Sequence, residues 1–445
     1  MPLVRRVLSH PARLVSLGFL LQMVVGTVLL LLPVSRAEGA PADLLVAAFT
    51  TVSATCVTGL ITVDTATYWS PFGQVVIMGL IQVGGIGVMT LATLLALTVR
   101  GRLGLRTSLA AQADSHSLDL GDVRRVVLRI VGLALTIEAF IAVLLTLRFA
   151  LGYGMGWGTA VWHGLFHAVS SFNNAGFALY TDNVIGFVGD LWIIGPLCLA
   201  LILGGLGFPV LRELLSGAPA RRWSVHTRLT VWGTSTLFVL GILAFWFFEG
   251  AAGGTLAHLP PAQQAVGALA GGVFPRTAGF NAVDYAHVTE ETEAITMVLM
   301  FIGGGSAGTA GGVKVTTFLL LAAVIWAEVR GEPDVVIGQR RVAAPVQRQA
   351  LTVALLAVGL VIGSTLVLMM LTDIPSLDLG FEVISAFATV GLSTGITAQL
   401  PAAGQVLLMV LMFLGRVGTI TVASAIALNT RHRHYRLPEE RPIVG

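Results

Sequence analysis

Eight stretches of the chain stay apolar for about twenty residues or more, at 14–34, 71–99, 126–149, 187–211, 229–249, 292–329, 349–371 and 402–428. A helix needs about 20 such residues to cross the hydrocarbon core of a bilayer, so each stretch is predicted to span a membrane. Only 11% of the residues are charged, against roughly 25% in an average soluble protein. So few polar groups cannot cover a water-facing surface. The chain is read as an integral membrane protein with no nucleic-acid partner. The first stretch follows basic residues but exceeds the roughly 7–15 residues of a signal-peptide core, and is read as a retained span. Cys56 and Cys198 lie far apart in apolar surroundings and suggest neither a disulfide framework nor a metal site.

Charge sets the predicted orientation. The amino terminus, the segments near 100–129, 212–228 and 330–348, and the carboxyl tail hold 21 of the 26 basic residues, while the opposite loops hold only Arg36, Arg148 and Arg276. Basic loops stay cytoplasmic, so both termini are placed in the cytoplasm of a multi-pass cell-membrane protein. Acids follow the reverse trend, with Asp64, Asp182, Asp284, Glu290, Glu291, Glu293, Asp373, Asp378 and Glu382 among those on the outer side. An acidic outer mouth raises the local concentration of cations.

Between paired spans lie four half-hydrophobic segments too short to cross: "AFTTVSATCVTGLITVD" (48–64), "LFHAVSSFNNAGFALY" (165–180), "ALAGGVFPRTAGFNAVD" (268–284) and "GFEVISAFATVGLSTGI" (380–396). They align on Gly59, Gly176, Gly279 and Gly391, each followed by Leu or Phe. Ten residues before the glycine stand Phe49, Phe166, Leu269 and Phe381, and six before it Ser53, Ser170, Val273 and Ser385. The glycines recur at intervals of 117, 103 and 112 residues, which makes each span, short helix, glycine turn and span one structural unit.

A short helix that stops within the membrane must return as extended backbone, and such backbone survives only against water, ions or protein. Four such turns around one axis offer carbonyls that replace the hydration shell of a monovalent cation. Glycine permits the dihedral angles and close approach involved. The carboxyl ends of the short helices add partial negative charge. The carbonyls expected at the opening belong to Val57, Thr58 and Gly59; Asn174, Ala175 and Gly176; Thr277, Ala278 and Gly279; and Thr389, Val390 and Gly391. The predicted fold class is therefore all-α, with four span–pore helix–span repeats (14–99, 126–211, 229–329 and 349–428) around a pseudo-fourfold pore. Eight transmembrane helices and a cytoplasmic tail at 429–445 complete it.

The sixth span carries six glycines in ten positions. Unbroken from 292 to 330, it would run about 58 Å, nearly twice the ~30 Å hydrocarbon core. The run Gly303, Gly304, Gly305, Ser306, Ala307, Gly308, Thr309, Ala310, Gly311 and Gly312 is predicted to interrupt it and to lie on the pore axis below the glycine turns. Lys314, the sole lysine, and Arg416 are intramembrane cations that need carbonyls, acids or water. Arg416 is expected to donate to carbonyls of the loop, with Glu138 as its alternative partner, and Lys314 to repel cations near the blocked path or to snorkel.

With the four loops, "QVGGIGVMT" (82–90), "GGGSAGTAGGVK" (303–314), "GRVGTIT" (415–421) and "YRLPEERPIVG" (435–445), the chain resembles the membrane subunit of the Ktr/Trk/HKT superfamily of potassium transporters over essentially its whole length. Trk members carry additional spans before the first repeat, so the likeness favours the Ktr type. The resemblance implies K⁺ as the transported ion, Na⁺ as an activator and a homodimer. It also implies that 303–312 forms a gate beneath the filter, and that a cytoplasmic ring of RCK-type subunits binds the regulatory nucleotide. The tail at 435–445 is a dimer or ring contact by resemblance alone. Only the fourth loop resembles the start of a potassium-channel filter, so one site at the glycine level is expected.

Other readings fit the residues less well. "GTAGGVK" lacks the Gly-Lys-Ser/Thr ending of a nucleotide-binding loop, since Val313 intervenes, and no strand precedes it. His163 and His167 lie four apart without a third ligand, which favours packing or hydrogen bonding. An enzyme would need acids, histidines or serines clustered at one depth, and none is apparent. A coupled secondary symporter with alternating access is expected to show inverted repeats and not four parallel ones, and a Trk-type or sodium-coupled cation symporter of the same superfamily remains the alternative.

Overall fold

The structure, a computed structural model, describes residues 11–107 and 120–418, and side chains within 16–93 and 124–418. The tail at 429–445, including 435–445, and the end of the span expected to 428 lie outside the described residues. Within them the chain is a helical integral membrane protein, with one two-stranded ribbon pairing Val336–Ile337 with Arg340–Arg341 in a basic connection.

Helices follow the order span, short helix, span four times. They are α1 (Pro11–Leu31), α2 (Leu44–Cys56) and α3 (Pro71–Thr107); α4 (Leu120–Leu147), α5 (Trp157–Phe172) and α6 (Leu191–Leu206) with its bent continuation α7 (Phe208–Leu215). Then come α8 (Val225–Phe245), α9 (Pro261–Val273), α10 (Glu290–Phe301) and α11 (Val315–Val329), and finally α12 (Ala344–Leu371), α13 (Ser376–Phe387) and α14 (Ala402–Phe413). Among the described residues four helices are long and apolar enough to cross a membrane unaided: Pro71–Thr93, Arg124–Gly152, Val225–Ala251 and Ala344–Leu371. Counting the bent pair as one span gives a fifth, and Ser16–Leu31, Val315–Val329 and Ala402–Gly418 are shorter apolar helices.

The short helices α2, α5, α9 and α13 have 13, 16, 13 and 12 residues. At 1.5 Å per residue they reach about 18–24 Å, short of the ~30 Å core. Their starts are fixed locally. Asp43 caps α2 by accepting the Leu45 N–H at 2.8 Å, and α9 opens on Pro261, where a missing N–H costs nothing. Their buried faces carry the aromatic position read from sequence: Phe49, Phe166 and Phe381 are fully buried, and Leu269 packs against the core around α6 and α9.

In the first, second and fourth repeats glycine lets the short helix end against the following span. A Cβ on Gly84 of α3 would stand 2.1 Å from the Thr55 carbonyl oxygen. One on Gly204 of α6 would stand 1.9 Å from that of Phe172, and one on Gly415, just past α14, 1.7 Å from that of Phe387. Gly415 lies in a π-helical turn, Leu414–Gly418, a distortion that often marks a functional position.

Among the described residues two spans are broken. The sixth is interrupted between Phe301 and Val315, around the glycine run, as its composition predicts. The break in the fourth was not expected: α6 and α7 meet at 104° across Gly207, whose φ is +89°. Pro209 stands two residues on, in the first turn of the new helix, where its missing N–H breaks no helical bond. The span read over 187–211 is thus made of two helices, Leu191–Leu206 and Phe208–Leu215.

Gly84→Ala is expected to lower the unfolding temperature of the detergent-solubilised chain by several degrees, because the added methyl overlaps a backbone oxygen that cannot move away. Gly87→Ala on the same helix has nothing within 4 Å of the new methyl. It should leave the temperature unchanged or raise it slightly.

Candidate functional site

The four re-entrant turns share one backbone conformation. Two residues before each aligned glycine the chain enters the left-handed region: Val57 at φ 58°, Asn174 at 62°, Thr277 at 71° and Thr389 at 50°. The glycines follow at φ 98°, 68°, 69° and 97°. Asparagine tolerates that region, but valine and threonine are β-branched and adopt it at a cost of about 1–3 kcal/mol each. Sequence reading found the glycines and missed this second position, because nothing in a Val or Thr announces a positive φ.

Hydrogen bonding behind each turn explains the conformation. In the first, second and fourth hairpins the residue before the glycine donates its N–H to the carbonyl six before the glycine: Thr58 to Ser53 at 2.8 Å, Ala175 to Ser170 at 2.7 Å and Val390 to Ser385 at 2.8 Å. In the third, Ala278 donates to Phe274 at 2.9 Å. The serine hydroxyls then take the next groups. Ser53 Oγ accepts the Gly59 N–H at 3.1 Å, Ser385 Oγ accepts that of Gly391 at 3.0 Å, and Ser170 Oγ donates to the Phe177 carbonyl at 2.8 Å. A trans peptide points its N–H and C=O in opposite directions. Tying the Gly59 and Gly391 N–H groups back to the short helix therefore aims the Thr58 and Val390 carbonyls away from it.

Those carbonyls meet the neighbouring turns. A Cβ on Gly59 would lie 2.3 Å from the Ala175 oxygen, and one on Gly391 would lie 2.1 Å from that of Thr58. At Gly279 it would lie 2.3 Å from the Val390 oxygen and 3.1 Å from that of Thr58, and at Gly176 2.6 Å from the Gly279 backbone. First touches second, second touches third, third touches fourth, and fourth touches first: the turns close a ring. All twelve residues expected at the opening are brought together there and are buried.

A second shared position lies nine residues before each glycine, occupied by Thr50, His167, Ala270 and Glu382. His167 donates from Nδ1 to the His163 carbonyl at 2.7 Å and accepts the Leu179 N–H at Nε2, so it braces the returning limb of the second hairpin. Both ring nitrogens are thereby occupied. Glu382 accepts the Thr397 hydroxyl behind the fourth hairpin. Further out, Asp64 caps a helical turn through the Ala66 N–H and accepts the Thr181 hydroxyl at 2.8 Å, joining the exits of the first two hairpins.

The glycine run packs against this ring. Its stem closes through Gly303 N–H to Val313 O at 2.8 Å and Val315 N–H to Gly304 O at 3.1 Å. Its tip lies on the broken fourth span: Gly305 donates to the Gly205 carbonyl at 2.9 Å and Thr309 to that of Gly204 at 3.1 Å. A Cβ on Gly311 would stand 2.0 Å from Thr389 Oγ1 and 2.3 Å from the Ala388 oxygen, at the end of α13. "LGGLGFPV" (203–210) is the cradle; three glycines shortly before a proline within an apolar span were the overlooked signal.

Three cations hold carbonyls of the loop. Arg416 Nη1 donates to Thr309 O, Lys314 Nζ to Ala310 O, and Arg276 Nη2 to Gly303 O at 2.7 Å. Arg416 thus takes the predicted role, and Glu138 instead binds Gln82 at 2.8 Å and Asn173 at 3.1 Å. Arg276 is a correction. Counted from sequence as an outer-loop charge, it is 2% exposed, because it follows the third short helix directly and turns inward to the loop.

Comparison with known proteins places this geometry. Residues 18–432 match the TrkH family model, described as a cation transport protein. The chain belongs to the TrkH cation transport family. That family consists of membrane ion transporters, not enzymes, and the chain is similar over nearly its full length to Ktr-type members. It is 37% identical over 435 residues to Ktr system potassium uptake protein B of Bacillus subtilis, covering 98% of this chain and 97% of the relative. It is 37% identical to Ktr system potassium uptake protein B of Vibrio alginolyticus, covering 97% and 94%. It is 33% identical to the potassium/sodium uptake protein NtpJ of Enterococcus hirae, covering 99% and 98%. The potassium transporter TrkH from Vibrio parahaemolyticus shares the fold, with a TM-score of 0.68 at 19% identity over 91% of this chain and 84% of that one.

Replacing Arg416 with methionine removes the donor to Thr309 O. Hydrogen-exchange mass spectrometry is expected to show the Gly305 and Thr309 amides exchanging about tenfold faster, the loss of one charge-assisted bond. Exchange in the α2 and α13 amides should not change.

Proposed function

We propose that this chain takes up potassium across the cell membrane, passing a dehydrated K⁺ through the ring of peptide oxygens at Gly59, Gly176, Gly279 and Gly391 and stopping it at the loop 303–312. The closed ring of four turns, with N–H groups tied back and carbonyls turned toward neighbouring glycines, supports this reading above all. Carbonyl oxygens replace the water of a monovalent cation, and the short-helix carboxyl ends add partial negative charge. The filter is the twelve-residue set from Val57 to Gly391 named above, and the gate is the loop with Lys314 and Arg416. A loop wedged against Thr389 and Ala388 obstructs the inner side of such a filter.

In this reading the repeats 14–99, 126–211, 229–329 and 349–428 surround the pore as eight membrane-crossing segments, with both termini cytoplasmic. The basic bias of one set of loops supports that orientation. The names of the Bacillus and Vibrio relatives support potassium as the cargo and a multi-component system. We assign the further component to a cytoplasmic RCK-type ring that carries the nucleotide, acting on a homodimer of this chain. The name of the Enterococcus relative favours a role for sodium, as activator or, in the second reading, as co-transported ion.

Gly279→Ser forces a side chain against Val390 O and is expected to reduce the ratio of rubidium to sodium uptake by about tenfold or more in liposomes. An unchanged ratio argues against the filter. Deletion of 305–311 should raise flux severalfold; a folded chain that no longer transports argues against the gate.

A further inference from the structure

Gate and filter are joined by side chains as well as by proximity. The Thr309 hydroxyl lies 2.9 Å from Asn174 Oδ1, and it also lies 3.2 Å from the Phe172 carbonyl at the end of α5. Asn174 is the left-handed residue of the second turn, and its Nδ2 donates to Thr277 Oγ1 at 3.2 Å, on the left-handed residue of the third. Thr309, Asn174 and Thr277 are each at most 1% exposed. The residue next to Thr277 is Arg276, which returns to the loop at Gly303 O. The path therefore runs from the loop through two filter turns and back to the loop.

These bonds hold the two residues whose conformation sets the turns. In a water-poor interior the loss of a partner costs a buried polar group about 1–3 kcal/mol. When the loop leaves the pore, Thr309 leaves with it, and the Asn174 carboxamide must find another partner or turn. The first hairpin has valine at this position and offers no such link.

Resting on the filter-and-gate reading, we infer that Asn174 couples the two: through Thr309 the docked loop holds the second and third turns in their K⁺-selective geometry, so selectivity depends on the state of the gate. Coupling free energies are reciprocal. An ion that fits the filter must therefore hold the loop docked more strongly than one that does not.

Two measurements test this in the full chain reconstituted in liposomes. Thr309→Val keeps the size and removes the hydroxyl, while Thr309→Ser keeps the hydroxyl. Thr309→Val is expected to lower the rubidium-to-sodium uptake ratio about threefold or more, the loss of one hydrogen bond, with Thr309→Ser restoring it. A ratio unchanged in Thr309→Val, whatever its flux, overturns the coupling. So does an equal fall in both variants, which would mean packing and not the hydroxyl. The second measurement needs no change at Thr309. Cys56 and Cys198 are buried, so a cysteine placed at the partly exposed Ser306 reports the loop. Its modification by a small hydrophilic thiol reagent should be slower in K⁺ than in Na⁺ at equal ionic strength, and equal rates overturn the inference. The filter and gate stand or fall separately, on Gly279→Ser and the 305–311 deletion.

Discussion

Inside a membrane, every peptide group that leaves a helix must find a partner in the protein or in the permeating path. Among the described residues four turns and the glycine loop leave their helices in this way, besides the bend at Gly207. They survive because each answers the others' needs. Short-helix carbonyls and serine hydroxyls take the N–H groups of the turns, and Gly204 and Gly205 carbonyls take N–H groups of the loop. Arg276, Lys314 and Arg416 take the loop's carbonyls. Buried cations of this kind are costly alone. Against a row of carbonyls they become the cheapest available donors, since arginine and lysine carry no acceptor of their own to satisfy.

Glycine makes the arrangement sterically possible in two ways. At the four aligned turns it supplies both a positive φ and room for a neighbouring carbonyl. On the spans it removes the side chain that would otherwise hold each short helix away from its own repeat. The strain that glycine cannot relieve is carried by Val57, Thr277 and Thr389, held in the left-handed region by the hydrogen bonds behind them. Strained residues gathered in one buried ring belong to a site whose geometry matters more than its ease of folding.

The architecture is fourfold and the chemistry is not. Position nine before the glycine carries threonine, histidine, alanine and glutamate in turn, and among the described residues only the third repeat sends a long interruption of a span against the ring. The loop's cradle comes from the second repeat and its latch from the fourth. A fourfold ring of turns thus carries one asymmetric loop, which residues of three repeats hold in place.

Much of this was legible in the sequence because its causes are local. Apolar runs fix the spans, the recurring glycine, with serine six before it in three of four copies, marks the turns, and six glycines in ten residues cannot remain helical within an overlong span. Even the need of Arg416 for carbonyls follows from its place in an apolar segment. What the sequence could not supply are relations between residues far apart along the chain. That Arg276 turns inward, that Gly204 and Gly205 receive the loop, and that Thr309 reaches Asn174 depend on which repeats become neighbours around the axis. Hydrophobic pattern and backbone freedom are written residue by residue. A hydrogen bond across the axis exists only once four separate hairpins have packed, and tertiary structure alone decides it.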